Sequence, residues 1–193
     1  MRQLTKKPVR MVVAGHYHAD HIYGLQAFRE HTRAEIWAQK DSALYINSTT
    51  AEKRLVQRRE ALFPWIDEKT YIVKPDKTFV DRHIFNMGDT SIELIHAGPA
   101  HAPDDVIMVV HQYGVIFSGD LVFSGRVPFL GGAEVNTGRW LKGLDYLQQL
   151  KPAPRFVIPG HGQADSNPAE AIKFTRFPGE QDIEPCKKWH AVW

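Results

Sequence analysis

The chain has 193 residues, and 24 Lys+Arg against 22 Asp+Glu leave a formal charge of +2 with histidine neutral. That excess is too small to make nucleic acid the default partner, and the length predicts a single domain, placed at residues 1–177 with an irregular tail over 178–193. A hydrophobic content of 43% supplies a core, and the single cysteine, Cys186, excludes an internal disulfide framework.

No apolar run approaches the roughly 18 residues of a membrane span, so no membrane partner is expected. The basic start (Arg2, Lys6, Lys7, Arg10) is followed only by Met11–Ala14, too short for a signal-peptide core. The expectation for the chain as written is therefore a cytoplasmic location.

Val9–Ala14 reads as a buried strand ended by Gly15, and His16-Tyr17-His18-Ala19-Asp20-His21 follows as a loop leading into helical spacing at Ile22, Leu25 and Phe28. Glu35–Ala38 reads as a second strand, Asp41 as a turn cap before Ser42–Ile46, and Thr50–Phe63 as a helix stopped by Pro64. From Tyr71 the period becomes alternating. Tyr71–Val73, Thr78–Phe85, Thr90–Ala97, Val106–His111 and Val115–Ser118 read as strands of a meander, and Leu121–Val135 as a long loop. Asn136 or Thr137 caps a helix with Trp140, Leu141, Leu144, Leu147 and Leu150 on its buried face. Arg155–Ile158 is a strand ending in Pro159-Gly160-His161-Gly162, and Asn167-Pro168-Ala169-Glu170 opens a last helix.

Ten histidines are unusual, and three of them, His16, His18 and His21, fall within six residues. Imidazoles and carboxylates are the ligands of choice for zinc and similar ions. A loop at a strand end can aim His16 and His18 to one side while Asp20 and His21 point to the other, which suggests two subsites. Each subsite needs further ligands, and three candidates recur at strand ends: His101 in Gly98-Pro99-Ala100-His101, Asp120 in Ser118-Gly119-Asp120, and His161.

With these seven residues the chain resembles the metallo-β-lactamase superfamily over about Val9 to Arg176. The resemblance implies an α/β, αββα sandwich in which His16, His18 and His101 hold a first metal. Asp20, His21 and His161 would hold a second, with Asp120 bridging both. It also implies a hydrolase in which hydroxide generated by two zinc ions attacks a thioester, lactone or β-lactam-like carbonyl, with iron or manganese as alternative metals. Asp20 would orient the nucleophile and Asp120 would serve catalysis as the bridge. Asp120 stands where β-lactam-hydrolysing members carry Cys or Ser. Gly119-Asp120-Leu121-Val122-Phe123-Ser124-Gly125-Arg126-Val127-Pro128 looks like the SoxH and quinoprotein-relay zinc metallohydrolases.

Arg126 and Phe129, after Asp120, are candidate substrate contacts, as are Phe63, Trp65 and Phe123. Against the family pattern only fifteen residues precede His16, which implies a domain lacking the first strands of its N-terminal sheet. Intact relatives would then include exported ones. Such a domain is expected to self-associate through a sheet edge, with Phe28 and Trp37 partly exposed or buried at a subunit interface. Three rival readings are a mononuclear iron persulfide dioxygenase using His16, His101 and Asp120, a nuclease using the basic Thr50–Arg59 helix, and an inactive metal-binding domain.

Overall fold

The computed structural model describes residues 5–130 and 133–176. The expected tail and Cys186 lie outside the described residues. The chain divides into two compact units, Met1–Arg82 and His83–Trp193.

The first unit carries a parallel sheet of three strands, β1 (Met11–Val13), β2 (Glu35–Gln39) and β3 (Lys77–Phe79), in that spatial order. Val12 lies opposite Ile36, and Ala38 opposite Thr78. Parallel neighbours need crossover connections. Helices α1 (Ala19–Ile22) and α2 (Leu25–His31) make the first, and α3 (Lys40–Ile46) and α4 (Thr49–Leu62) the second. Their apolar faces gather Ile22, Leu25, Ile46 and Leu55 with Ala14, Ile36 and Val73 into one core.

Ser48 caps α4, its hydroxyl accepting the Ala51 N–H at 3.3 Å. The cap of α3 is Gln39 rather than Asp41: the Gln39 side chain accepts the Asp41 N–H, so Asp41 already lies in the first turn.

The second unit is a five-stranded sheet, β4 (Arg82–Met87), β5 (Thr90–His96), β6 (Val106–Val110), β7 (Val115–Phe123) and β8 (Phe156–His161), in sequence order. β5 to β7 pair antiparallel, whereas β8 runs parallel to β7. Helix α5 (Thr137–Gln149) makes the crossover between them, and α6 (Pro168–Arg176) follows. The Asn136 side chain caps α5 by accepting the Arg139 N–H at 2.9 Å.

Trp140, Leu144 and Leu147 form the buried face of α5, packed on Ile107, Ile116, Leu121 and Val157. Leu141, expected on that face, is exposed, and Gly143 lies against Leu121 in its place. The hydroxyl of Thr175 in α6 accepts the Phe123 N–H at 2.9 Å and meets the Phe123 carbonyl at 3.0 Å, tying the helix to the end of β7.

Three readings of the chain are corrected. Tyr71–Val73 is not a strand. Thr78–Phe85 is not one strand but parts of β3 and β4, divided by a bend at Val80 and Asp81 and assigned to different sheets. Alternation reports which residues face inward, not which neighbour a strand pairs with. The loop expected from Leu121 starts later, because β7 continues to Phe123.

Trp37, expected to be partly exposed or covered by a second subunit, is buried within the chain itself, with its indole N–H donating to Glu35 at 3.2 Å, whereas Phe28 is half-buried. Among the described residues, no helix is long and apolar enough to cross a membrane.

Leu121 lies in the stretch where the β7–β8 register shifts between Gly119 and Phe123. Its carbonyl instead accepts the Trp140 indole N–H at 2.8 Å in the core. A buried acceptor robbed of its donor costs about 1–3 kcal/mol. Trp140→Phe is therefore expected to lower the melting temperature by several degrees, at roughly 2–4 °C per kcal/mol for a chain of this size. A thermal melt matching the parent would show that the bond contributes nothing.

Candidate metal centre

In the first unit, the Ala14 N–H donates to the Trp37 carbonyl at 2.9 Å, and the chain turns away from the sheet at Gly15. His16 is fully buried. His18 has extended dihedrals and stands at the N-cap of α1, where its carbonyl accepts the Ile22 N–H at 3.1 Å. Asp20 and His21 thus sit in a short helix and not, as expected, in the loop.

His16 Nε2 and His18 Nδ1 are 2.8 Å apart, and the His16 and His21 ring centres are 4.0 Å apart. A Cβ on Gly15 would come within 2.7 Å of His21 Nδ1, so the fold-back of that ring requires glycine. Tyr17 meets His18 edge-on at 4.8 Å and packs on Tyr45 at 4.2 Å, which bounds the imidazole on one side. The Asp20 side chain is exposed, with a carboxylate oxygen 3.8 Å from His21 Nε2.

In the second unit, three residues distant in sequence meet at one oxygen. Asp120 Oδ2 lies 3.3 Å from His101 Nε2 and 3.4 Å from His161 Nε2. His101 is supplied by the β5–β6 connection, Asp120 by the interior of β7, and His161 by the last position of β8. The parallel β7–β8 pairing brings the latter two together.

A Cβ on Gly160 would collide with Asp120 Oδ1, so the carboxylate occupies space that only glycine leaves open. Gly119, at φ +51°, takes a left-handed conformation immediately before Asp120. Phe123 stacks on the His161 ring at 5.3 Å and 21°, and Trp140 meets His101 edge-on at 5.4 Å. Asp120 itself is buried.

Sequence reading missed Asp104 and Asp105, both buried at the foot of β6. Their signal was two adjacent carboxylates directly before the apolar run Val106–Val110, where no charge is needed for solubility. Burial pushes the Asp105 carboxyl up to about 8, and the charges of Asp104 and Asp120 add to the rise, while the N–H groups of Ala102 and His101 oppose it.

Among the candidate substrate contacts, Phe129 is exposed with its ring 6.4 Å from that of His101, and Arg126 is exposed. Phe123 is buried beneath His161, whereas Phe63 and Trp65 are 72% and 86% exposed.

The donor chemistry fits divalent ions. Each half-set presents imidazole nitrogens, joined in the second unit by a carboxylate oxygen, at separations of 2.8 to 3.4 Å. Two ligands on one tetrahedral ion with bonds of about 2.0 Å stand roughly 3.3 Å apart. The aromatic walls and the two glycines are the packing that holds such ligands in orientation.

With this fold and these half-sets, the chain belongs to the metallo-beta-lactamase superfamily, whose sequence pattern matches residues 2–161. Among individual proteins, it is 24% identical to a type 2 metallo-beta-lactamase of Bacillus sp. (strain 170) over 159 residues, 82% of this chain and 53% of that protein. It is 24% identical to the hydroxyacylglutathione hydrolase GloC of Haemophilus influenzae over 120 residues, 62% of this chain and 52% of that one. The chain therefore spans about half the length of these relatives.

Solved structures agree on the fold. A metallo-beta-lactamase from Pontibacter korlensis superposes with a TM-score of 0.67 at 23% identity, covering 91% of this chain and 72% of that one. An archaeal superfamily protein from Sulfolobus tokodaii gives 0.69 at 18% identity, covering 93% and 71%. Identities this low carry the fold and not the activity.

Proposed function

We propose that the chain is a hydrolase using two divalent metal ions, zinc being the expected metal. His16, His18 and His101 would hold one ion and Asp20, His21 and His161 the other, with Asp120 a ligand to both. One observation carries this reading: a single oxygen of Asp120 stands between His101 and His161, one from each proposed set. An oxygen so placed would be within reach of an ion on either side of it.

When bound, such a pair of ions draws a nucleophile from water near neutral pH and polarises the substrate's oxygen. The protein's own contribution is orientation. Burial of Asp120 and His101 excludes bulk water from their contact, which strengthens the local electrostatics. The exposed Asp20 carboxylate would orient a water and relay its proton. Exposed Phe129, its ring 6.4 Å from that of His101, offers an apolar surface for the acyl part of a substrate. Thioesters, lactones and β-lactam-like amides all present the required electrophilic carbonyl, and relatives named as a metallo-beta-lactamase and a hydroxyacylglutathione hydrolase support that class.

The test is elemental analysis of the purified chain paired with a panel of the three substrate types. Close to two ions per chain and hydrolysis of at least one substrate are expected, because seven ligands exceed what one tetrahedral site uses. One iron per chain, no zinc and oxygen uptake with a persulfide would replace this reading with the dioxygenase.

A further inference from the structure

The structure assigns Asp105 as a positioning residue for the metal ligand His101, acting through the backbone of the loop that carries it. This rests on the metal-dependent reading above. The loop from Ala97 to Asp105 closes on itself: the Ala97 N–H donates to the Asp105 carbonyl at 2.8 Å, and the Ala100 N–H to the Ala102 carbonyl at 3.0 Å. Inside this closure the Asp105 side chain turns back, and its Oδ2 accepts the Ala102 N–H at 2.7 Å. The amide that immediately follows the ligand is therefore held by one buried side chain.

The loop has no slack to relax into another shape. A Cβ on Gly98 would stand 2.7 Å from the Pro103 carbonyl oxygen and 2.9 Å from that of Ala102. The peptide of His101 is held by Asp105 from one side while its ring meets Trp140 on the other. With both ends of the residue fixed, Nε2 is aimed at Asp120, 3.3 Å away. An acceptor oxygen is all that this role needs, so it does not depend on the ionisation state of Asp105.

Metal ligands whose outer partners are removed lose affinity by about 10–100-fold. The experiment measures zinc affinity by chelator competition and the visible spectrum of the cobalt-substituted protein, for the parent, Asp105→Ala and Asp105→Asn. Asp105→Ala is expected to weaken one of the two ions by about 10–100-fold and to shift the cobalt spectrum, while Asp105→Asn, which keeps one acceptor oxygen, stays within about threefold of the parent. Circular dichroism establishes that each variant is folded.

Parent-like affinity in Asp105→Ala would overturn the inference. So would a folded Asp105→Asn that binds as poorly as the alanine variant, and Asp105→Asn decides the matter by itself if the alanine variant does not fold. A parent chain that binds no zinc or cobalt would instead overturn the metal-dependent reading.

Discussion

Asp120→Ala is expected to reduce bound metal from about two ions per chain to one or fewer and to lower kcat/KM on the order of 1,000-fold, about 4 kcal/mol of transition-state stabilisation. The expectation follows from one oxygen lying within 3.4 Å of both His101 and His161. On the proposed two-ion reading, removing it unlinks two ligand sets rather than trimming one. The fold should survive, because a buried carboxylate carries a desolvation cost that its loss relieves, and the strand that bears it is held by neighbours on both sides. Metal content, steady-state kinetics and a far-ultraviolet dichroism spectrum on the same sample check all three parts. Parent-like turnover in this variant would refute the two-ion mechanism.

Gly160→Ala is expected to damage both stability and metal binding, although it adds a single methyl group. The new carbon would overlap Asp120 Oδ1 and stand 2.8 Å from the Gly119 carbonyl carbon and 2.9 Å from the Asp120 nitrogen. Two of these neighbours are backbone, which cannot swing aside as the end of a long side chain can. Overpacking of this kind costs about 1–3 kcal/mol. Thermal melts run with and without a chelator separate the two effects. The fall in melting temperature should persist in the metal-free protein, since the overlap is with the chain itself. A metal-free variant melting with the parent would show that β8 has room to move.

How much of this was readable in advance depended on whether a residue's role is written in side-chain chemistry or in backbone geometry. The seven candidate ligands stood out because imidazoles and carboxylates clustered after apolar runs have few other uses. The crossover helix was legible because Trp140, Leu144 and Leu147 recur at helical spacing, and Asn136 is a residue type that caps helices.

Asp105 escaped notice because its partner is a backbone amide, which every residue but proline possesses. The division of Thr78–Phe85 between two sheets was equally hidden, since alternation is identical on either side of the bend at Val80 and Asp81. Trp37, expected to be partly exposed or covered by a second subunit, was misjudged for a related reason: what covers a side chain is decided by distant segments, not by its neighbours in sequence.

The parallel pairing of β8 with β7, secured from behind by Thr175, also fixes an order of assembly. Strands β4 to β7 join neighbours through short connections, so His101 and Asp120 are brought together by local ladder formation across roughly twenty residues. His161 must wait for α5 to fold and cross over, about forty residues further on. The entropic difference between closing these two loops is small, about 0.6 kcal/mol per doubling of length. The difference in sequence of events is not small, because a parallel strand has nothing to pair with until its crossover is complete. A growing chain is therefore expected to present His101 and Asp120 as an unfinished pair, with the His161 side of Asp120 completed last.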